Sequence, residues 1–258
     1  MRNHTKLWLA KCATTIAALT TLTTGNLFAT TMGWDDQWAY AGSIIAPEGT
    51  SDFIRTFQAG TTYEIIADGD SNARDIDLYV LDSSGQVIRS DTRASKEARI
   101  VFRPSRTGTY TVRLKLASAY REAACFVAFL RQNGGWRVPM SDIISASQKM
   151  LGFSALMEVL GHTPRLVRIY GCIMMPGDEA TVTVTGLSAR PRAAVALGDD
   201  YADDIDLYVW RGGWLLDYDE DYDATPICAF TGSPAATALT VKYASGTGPS
   251  LILLGIYE

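Results

Sequence analysis

The chain has 258 residues, of which 47% are hydrophobic, 20% charged and 10% aromatic, and its formal net charge is −5. This composition contains too many apolar residues for a disordered chain. The sequence has no cluster of lysine and arginine residues, which argues against a nucleic acid as partner. The length accommodates one large domain or two modest ones.

The first 29 residues have the features of a secretory signal peptide, with a buried helix as the alternative. Arg2, Lys6 and Lys11 are basic, and an apolar stretch at 12–22 precedes Ala29, where we place the cleavage. The mature chain then carries 20 basic and 28 acidic residues. No later segment reaches the ~18 consecutive apolar residues that a bilayer span needs. We therefore predict a periplasmic or secreted protein without a transmembrane segment after signal removal.

The chain contains an internal duplication. The string Asp-Ile-Asp-Leu-Tyr-Val occurs at 75–80 and again at 204–209, and the same spacing extends without a gap back to Gly42 and Gly171. Self-similarity on this scale indicates two copies of one domain. We place the first module at residues 30–137 and the second at residues 164–258.

Toward the end of each copy the alignment is less regular. We align Thr107-Gly108 with Thr247-Gly248, which gives the second copy an insertion near 233–245. On this alignment Tyr110–Leu116 and Leu251–Ile256 are the equivalent last strands.

Each copy has the sequence pattern of short strands separated by polar turns. In 75–80 the apolar side chains point one way, and Asp75, Asp77 and Tyr79 point the other way. Clusters of Gly, Asp, Asn and Ser separate this run from its neighbours. The pattern predicts an all-β fold of two tandem antiparallel β-sandwiches.

The segment 138–163 between the modules departs from this pattern. Apolar residues from Ile143 to Leu160 recur at spacings of three and four, between a Ser141 N-cap and a stop at Gly161. We predict one connecting α-helix that packs against the sandwiches. A docking helix for a partner is the alternative.

A set of short motifs carries a family resemblance. The motifs are Gly69-Asp70, the string at 75–80 and Thr107-Gly-Thr-Tyr-Thr-Val in the first copy, and Gly198-Asp199 and the string at 204–209 in the second. They resemble the bacterial pre-peptidase C-terminal domain family. The resemblance implies small jelly-roll-like β-sandwiches that are non-catalytic accessories of exported enzymes, some of which bind calcium or a polymeric substrate. The chain differs from that family in having no protease domain and no cysteine to pair with Cys228 around the acidic turn.

Six aspartates are candidate calcium ligands. They are Asp70, Asp75 and Asp77 in the first copy, and Asp199, Asp204 and Asp206 in the second. Carboxylates that lie close together repel unless a cation compensates them, and Ca²⁺ takes six to eight oxygen ligands. The functional interpretation is one calcium site in each copy. In the alternative interpretations the acids face solvent, or a strand aspartate accepts backbone N–H bonds from the neighbouring loop.

Two tryptophans and an acidic run stand close together in the second copy. Trp210 and Trp214 flank the turn at 211–213. In the functional interpretation the two side chains are exposed at the tip of the turn and bind a ligand by stacking on sugar rings or packing against a peptide. A core or rim position is the alternative. The acidic run from Asp217 to Asp223 is typical of a solvated turn, with a cation site or a patch for a basic partner as alternatives.

Cysteine and histidine content bounds the chemistry of the mature chain. Cys125, Cys172 and Cys228 remain after signal removal, and an oxidising compartment permits one disulfide whose pairing the sequence leaves open. Catalysis has little support, because His162 is the one histidine left to act as a base.

We therefore predict a non-catalytic binding or accessory protein whose partner is an envelope or extracellular protein or a polysaccharide. One alternative is a structural or assembly protein of the cell envelope that adds strands from a neighbour. Another is a carboxylate-dependent hydrolase.

Overall fold

The computed structural model describes residues 32–34, 38–134 and 165–258. The predicted signal peptide at 1–29 and the predicted helix at 141–161 lie outside these residues. Every regular element that the structure describes is a β-strand, and all the strand pairs described here are antiparallel. The all-β prediction is therefore confirmed for the described part of the chain. In that part no helix is long and apolar enough to cross a membrane.

The chain divides into two compact units. The strands of the first unit are β1 (Met32–Trp34), β2 (Tyr40–Ile45), β3 (Thr50–Phe57), β4 (Tyr63–Gly69), β5 (Ala73–Leu81), β6 (Val87–Asp91), β7 (Glu97–Phe102), β8 (Gly108–Ala119) and β9 (Ala123–Gln132). They form one sheet in the order β2-β9-β4-β7, with β1 paired to β9, and a second sheet in the order β3-β8-β5-β6.

The second unit repeats this arrangement. Its strands are β10 (Leu166–Met174), β11 (Glu179–Val184), β12 (Pro191–Gly198), β13 (Ala202–Arg211), β14 (Trp214–Asp219), β15 (Ile227–Thr231), β16 (Thr237–Gly246) and β17 (Ser250–Tyr257). Its two sheets have the orders β10-β17-β12-β15 and β11-β16-β13-β14. Each strand of the first unit from β2 onward thus has a counterpart in the second, and the predicted equivalence of 75–80 with 204–209 is confirmed because β5 and β13 correspond.

The predicted alignment near the end of each copy is wrong. Leu114 on β8 pairs with Leu78, and Val241 on β16 pairs with the equivalent Leu207, so β8 corresponds to β16. Tyr110–Leu116 lies within β8, whereas Leu251–Ile256 lies within β17, whose counterpart is β9. The error arose because alternating strands resemble one another in sequence, and a Thr-Gly pair is too short to fix the alignment.

Alternation of apolar and polar residues builds the core of each sandwich. Ile76, Leu78 and Val80 are fully buried, as are their counterparts on β13, because one face of each sheet is turned away from water. In the first unit Phe57 on β3 lies 5.3 Å from Phe102 and 6.3 Å from Phe129, measured between ring centroids. These rings come from both sheets and therefore fill the space between them.

The Gly-Asp motif forms the tight turn between β4 and β5 in the first unit and between β12 and β13 in the second. A Cβ on Gly69 would lie 2.4 Å from the Ala73 Cβ, and a Cβ on Gly198 would lie 2.4 Å from the Ala202 Cβ. Only glycine fits so close an approach of two chain segments. The motif is therefore a structural signature of the turn.

The disulfide that the sequence permits does not form among the described cysteines, because Cys125, Cys172 and Cys228 are all buried thiols. In the second unit β17 and β12 separate the strands that carry Cys172 and Cys228. Three strand spacings put their Cα atoms at least about 14 Å apart, whereas a disulfide requires less than about 7 Å. Desolvation by burial also raises the pKa of Cys228 to about 12.

Candidate functional site

The three candidate calcium ligands of the first unit have separate protein partners. The Oδ1 of Asp70 accepts the Asn72 backbone N–H at 2.7 Å. The Oδ1 of Asp75 accepts the Ser95 backbone N–H at 3.1 Å. The Oδ2 of Asp77 lies 3.6 Å from the Lys115 Nζ. Two of these carboxylates thus bind backbone N–H groups, and the third is compensated by a lysine.

Two of the three candidates in the second unit are engaged in a similar way. The buried Asp199 accepts hydrogen bonds from the Tyr201 N–H at 3.1 Å, the Ser250 hydroxyl at 2.7 Å and the Leu251 N–H at 2.9 Å. Asp206 accepts a hydrogen bond from the Lys242 ammonium at 2.9 Å, which raises the pKa of that lysine. The same backbone and lysine contacts therefore recur in both copies.

Asp204 differs from its counterpart Asp75. Its Oδ1 is shielded from water and has no hydrogen-bond partner, and the same holds for the hydroxyl of Ser245, which pairs with Asp204 across the strands. The Asp223 N–H, in the place of the Ser95 N–H, donates to the Asp221 carbonyl instead. Desolvation is the main reason why the pKa of Asp204 is raised, and repulsion from the Asp206 carboxylate raises it further.

The six aspartates do not converge on common points in the structure. Within residues 38–134 and 165–258 no three acidic, histidine or cysteine side chains are grouped so that they could hold a metal ion. Calcium binding therefore stays a prediction. The contacts of Asp70, Asp75 and Asp199 are those of the alternative in which aspartates accept backbone N–H bonds.

A group of exposed and half-buried aromatic and apolar side chains lies on the outer side of the sheet β11-β16-β13-β14. Tyr208 and Trp210 alternate with fully buried residues, and their rings stack at 6.5 Å with an interplanar angle of 29°. Tyr218 on β14 pairs with Tyr208, and Leu215 pairs with Trp210. We call these four residues the aromatic face. Tyr218 is 56% exposed, so the face is accessible to a ligand.

Polar groups surround the aromatic face. The Tyr208 hydroxyl donates to the Glu220 carboxylate at 2.6 Å. Desolvation and this hydrogen bond raise the pKa of Tyr208, so the phenol stays neutral at physiological pH. The hydroxyls of Thr181 and Thr240 share a hydrogen bond of 2.8 Å on the neighbouring strands. Flat rings with a polar rim suit a ligand that has both apolar and hydrogen-bonding groups.

The two tryptophans proposed from the sequence have different positions. They flank the turn as expected, but Trp210 is half-buried and packs with Tyr208, whereas Trp214 pairs with Arg211 at the hairpin tip and is 78% exposed. The sequence reasoning missed Tyr208, Leu215 and Tyr218 as candidates. The outward alternation at 204–210 was a signal for Tyr208, but the cross-strand pairs of β14 had no local signal.

The first unit does not have a comparable aromatic face. Its pair Tyr79 and Ser90 corresponds to Tyr208 and Tyr218, and its pair Leu81 and Val87 corresponds to Trp210 and Leu215. A salt bridge of 2.7 Å between Arg113 and Asp52 lies on the strands beside Tyr79. The aromatic face therefore distinguishes the second copy from the first.

The acidic run has a structural part and an exposed part. The carboxylate of Asp217 accepts the Ala229 N–H at 2.7 Å, and that of Asp219 accepts the Ile227 N–H at 2.8 Å. Both bonds connect β14 to the edge strand β15. An open groove runs along this edge, lined by Asp217, Tyr218, Asp219, Glu220, Asp221 and Ile227.

Comparisons with known proteins do not identify a family. No protein-family model matches the chain, and no curated protein sequence matches it significantly.

Several solved structures show a weak similarity to the chain. A periplasmic inhibitor of g-type lysozyme from Aeromonas hydrophila is 13% identical over 35% of this chain and 87% of its own, with a TM-score of 0.27. A structure described as a CBM4 is 17% identical over 40% of this chain and 79% of its own, also with a TM-score of 0.27. The exported protein XepA of PBSX is 8% identical over 83% of this chain and 84% of its own, and its TM-score is again 0.27. Likenesses this weak carry no argument about fold or function.

Proposed function

We propose that the chain is an exported, non-catalytic binding protein whose second unit holds a ligand on the aromatic face. The observation that carries the proposal is the contrast between the two copies. Both units form the same sheets, but the four residues of the aromatic face are replaced in the first unit. The residues at the equivalent positions there are Tyr79, Leu81, Val87 and Ser90. The first unit builds its sandwich without such a surface, so folding does not require it. Exposed apolar groups on one sheet face are typical of an interaction site.

We propose further that each unit is a jelly roll of the pre-peptidase C-terminal type. Counted from one to eight from β2 or β10, the strands of each unit follow the orders 1-8-3-6 and 2-7-4-5. Eight strands in two such sheets support a jelly roll. The string shared by β5 and β13 supports the family resemblance. Export rests on the signal-like features of residues 1–29.

The ligand class that we propose is a macromolecule of the envelope or the extracellular space, either a protein or a polysaccharide. Stacking on Tyr208 and Trp210 supplies apolar contact, and Glu220 with the threonine hydroxyls supplies hydrogen bonds. A surface of this kind binds an extended ligand at several points rather than enclosing a small molecule.

The proposal is tested with the mature protein and a panel of immobilised polysaccharides and envelope proteins, read out by tryptophan fluorescence and retention. The variants are Trp210→Ala and Tyr218→Ala, and Tyr79→Ala is the matched control in the first unit. Because one aromatic contact contributes about 0.5–1.5 kcal/mol, each face variant weakens binding about two- to tenfold. Retention that is the same in all three variants would contradict the proposal.

A further inference from the structure

We infer that the ligand of the aromatic face is an extended polypeptide segment rich in lysine and arginine, which lies along the free edge of β14. The inference rests on the proposed function, because it names the class of partner for the same face. Its grounds are the charge of the second unit, the position of β14 in its sheet and the contrast with the first unit.

The second unit carries a large excess of negative charge. Residues 165–258 contain six lysines and arginines against thirteen aspartates and glutamates, whereas residues 38–134 contain twelve against eleven. A ligand with positive charge is attracted to such a surface, and an acidic polymer is repelled.

The basic residues near the aromatic face are already engaged. The four strands of its sheet contain two of them, Arg211 and Lys242. Arg211 donates to the Thr231 carbonyl at 2.6 Å, and Lys242 donates to Asp206 at 2.9 Å. Beside the rings, Glu220 and Asp221 are exposed. A cationic side chain placed between an aromatic ring and a carboxylate gains both cation–π and ionic attraction.

The position of β14 favours a polypeptide as the cationic ligand. β14 ends its sheet, with β13 as its one neighbour in the strand order, and the open groove lies along this edge. An edge strand presents backbone N–H and C=O groups that an added strand can pair with. Alternate side chains of that added strand would then reach Tyr218 and Leu215 on the aromatic face.

The first unit has the opposite charge at the equivalent places. Arg89 corresponds to Asp217, because these residues pair with the equivalent Val80 and Val209. Arg93 corresponds to Asp221, because their N–H groups bond to the equivalent carboxylates of Asp91 and Asp219. The two copies therefore differ both in aromatic content and in charge at the same edge.

The experiment measures fluorescence anisotropy of a labelled peptide of alternating lysine and valine residues, titrated with the mature protein. Two further peptides carry glutamate in place of lysine, or methylated backbone nitrogens. The test variant is Glu220→Gln/Asp221→Asn, since the amide oxygen introduced at position 220 would still accept the Tyr208 hydroxyl. The control is Asp200→Asn/Asp203→Asn, which removes the same charge from exposed positions at the turn between β12 and β13.

We expect the lysine peptide to bind, the glutamate peptide and the methylated peptide to bind much more weakly, and high salt to weaken the complex. The test variant weakens binding about fivefold, as expected for the loss of two exposed ion pairs, and the control variant does not. The inference is overturned if the glutamate peptide or the methylated peptide binds as tightly as the lysine peptide. It is also overturned if the test and control variants bind the lysine peptide equally well. If only a polysaccharide binds, and Tyr218→Ala abolishes that binding, the inference fails while the proposed function stands.

Discussion

Asp91 and Asp219 occupy equivalent positions at the ends of β6 and β14, and each carboxylate connects its strand to the facing sheet. The Oδ2 of Asp91 accepts the Arg99 N–H at 2.9 Å, and the Oδ2 of Asp219 accepts the Ile227 N–H at 2.8 Å. The strands β7 and β15, which donate these N–H groups, belong to the other sheet of each unit. One buried or half-buried acid thus connects the two sheets at the same side of each sandwich.

Replacing either of these acids by alanine should destabilise its unit. Asp91→Ala and Asp219→Ala leave a backbone N–H without its charged acceptor, and each should lower the free energy of unfolding by about 1–3 kcal/mol. Chemical denaturation measures the change. The control is the exposed Glu97→Ala, which should stay within about 0.5 kcal/mol of the wild type. Equal effects of Glu97→Ala and Asp91→Ala would show that the closing contact does not contribute.

The contribution of Asp91 should depend on pH. The Arg93 hydrogen bond, helped by the Arg99 and Arg93 backbone N–H groups, holds the pKa of Asp91 well below its usual range. A depressed folded-state pKa means that the stabilisation is complete above the unfolded-state pKa of about 3.9 and is lost as the pH falls through the folded value. The difference in melting temperature between wild type and Asp91→Asn should therefore shrink below about pH 4. A difference that stays constant down to strongly acidic pH argues against this role.

The glycines of the two Gly-Asp turns should not tolerate a side chain. Gly69→Ala and Gly198→Ala place a methyl group 2.4 Å from another Cβ, and overpacking of this kind costs about 1–3 kcal/mol. Gly108→Ala and Gly248→Ala are matched controls, because a Cβ there meets no atom within 4 Å. Thermal unfolding of the four variants should separate the two pairs, and similar melting temperatures would refute the packing argument.

Neutralising Asp204 should stabilise the second unit. Desolvation and the neighbouring carboxylate of Asp206 raise the pKa of Asp204, so its charged form is disfavoured by folding. For an acid with a raised folded-state pKa, the destabilisation is present at neutral pH and disappears as the pH falls below the unfolded value. Asp204→Asn should thus raise the melting temperature at pH 7, whereas Asp75→Asn, which weakens the acceptor of the Ser95 N–H, should lower it.

The same pair of variants tests the predicted calcium sites. A bound cation would compensate Asp204, so calcium should raise the melting temperature of the wild type. The rise should be smaller in Asp204→Asn, and a chelator should reverse it. A melting temperature that does not respond to calcium or to chelator would remove these aspartates as ligands.

The sequence alone determined the strand content and the duplication. Alternation along 75–80 is a local property with a period of two residues, and it fixes which side chains are buried whatever the neighbouring strands are. The identical string on β5 and β13 requires no structure to be recognised. The glycines at 69 and 198 are recognisable in the sequence only as part of a repeated motif, because the close approach of Ala73 and Ala202 that excludes a side chain exists only in the folded turn.

The tertiary structure decided the partners. Strand order and register decide three contacts that the sequence leaves open. They decide whether Asp204 accepts a hydrogen bond, whether Tyr218 contacts Tyr208, and whether Cys172 lies close to Cys228. A shift of one residue in register turns every side chain of a strand to the opposite face, and no local pattern encodes that choice for strands as alike as these. For this reason the sequence does not show that β8 and β16 are equivalent, or that Leu215 and Tyr218 lie beside Trp210 and Tyr208.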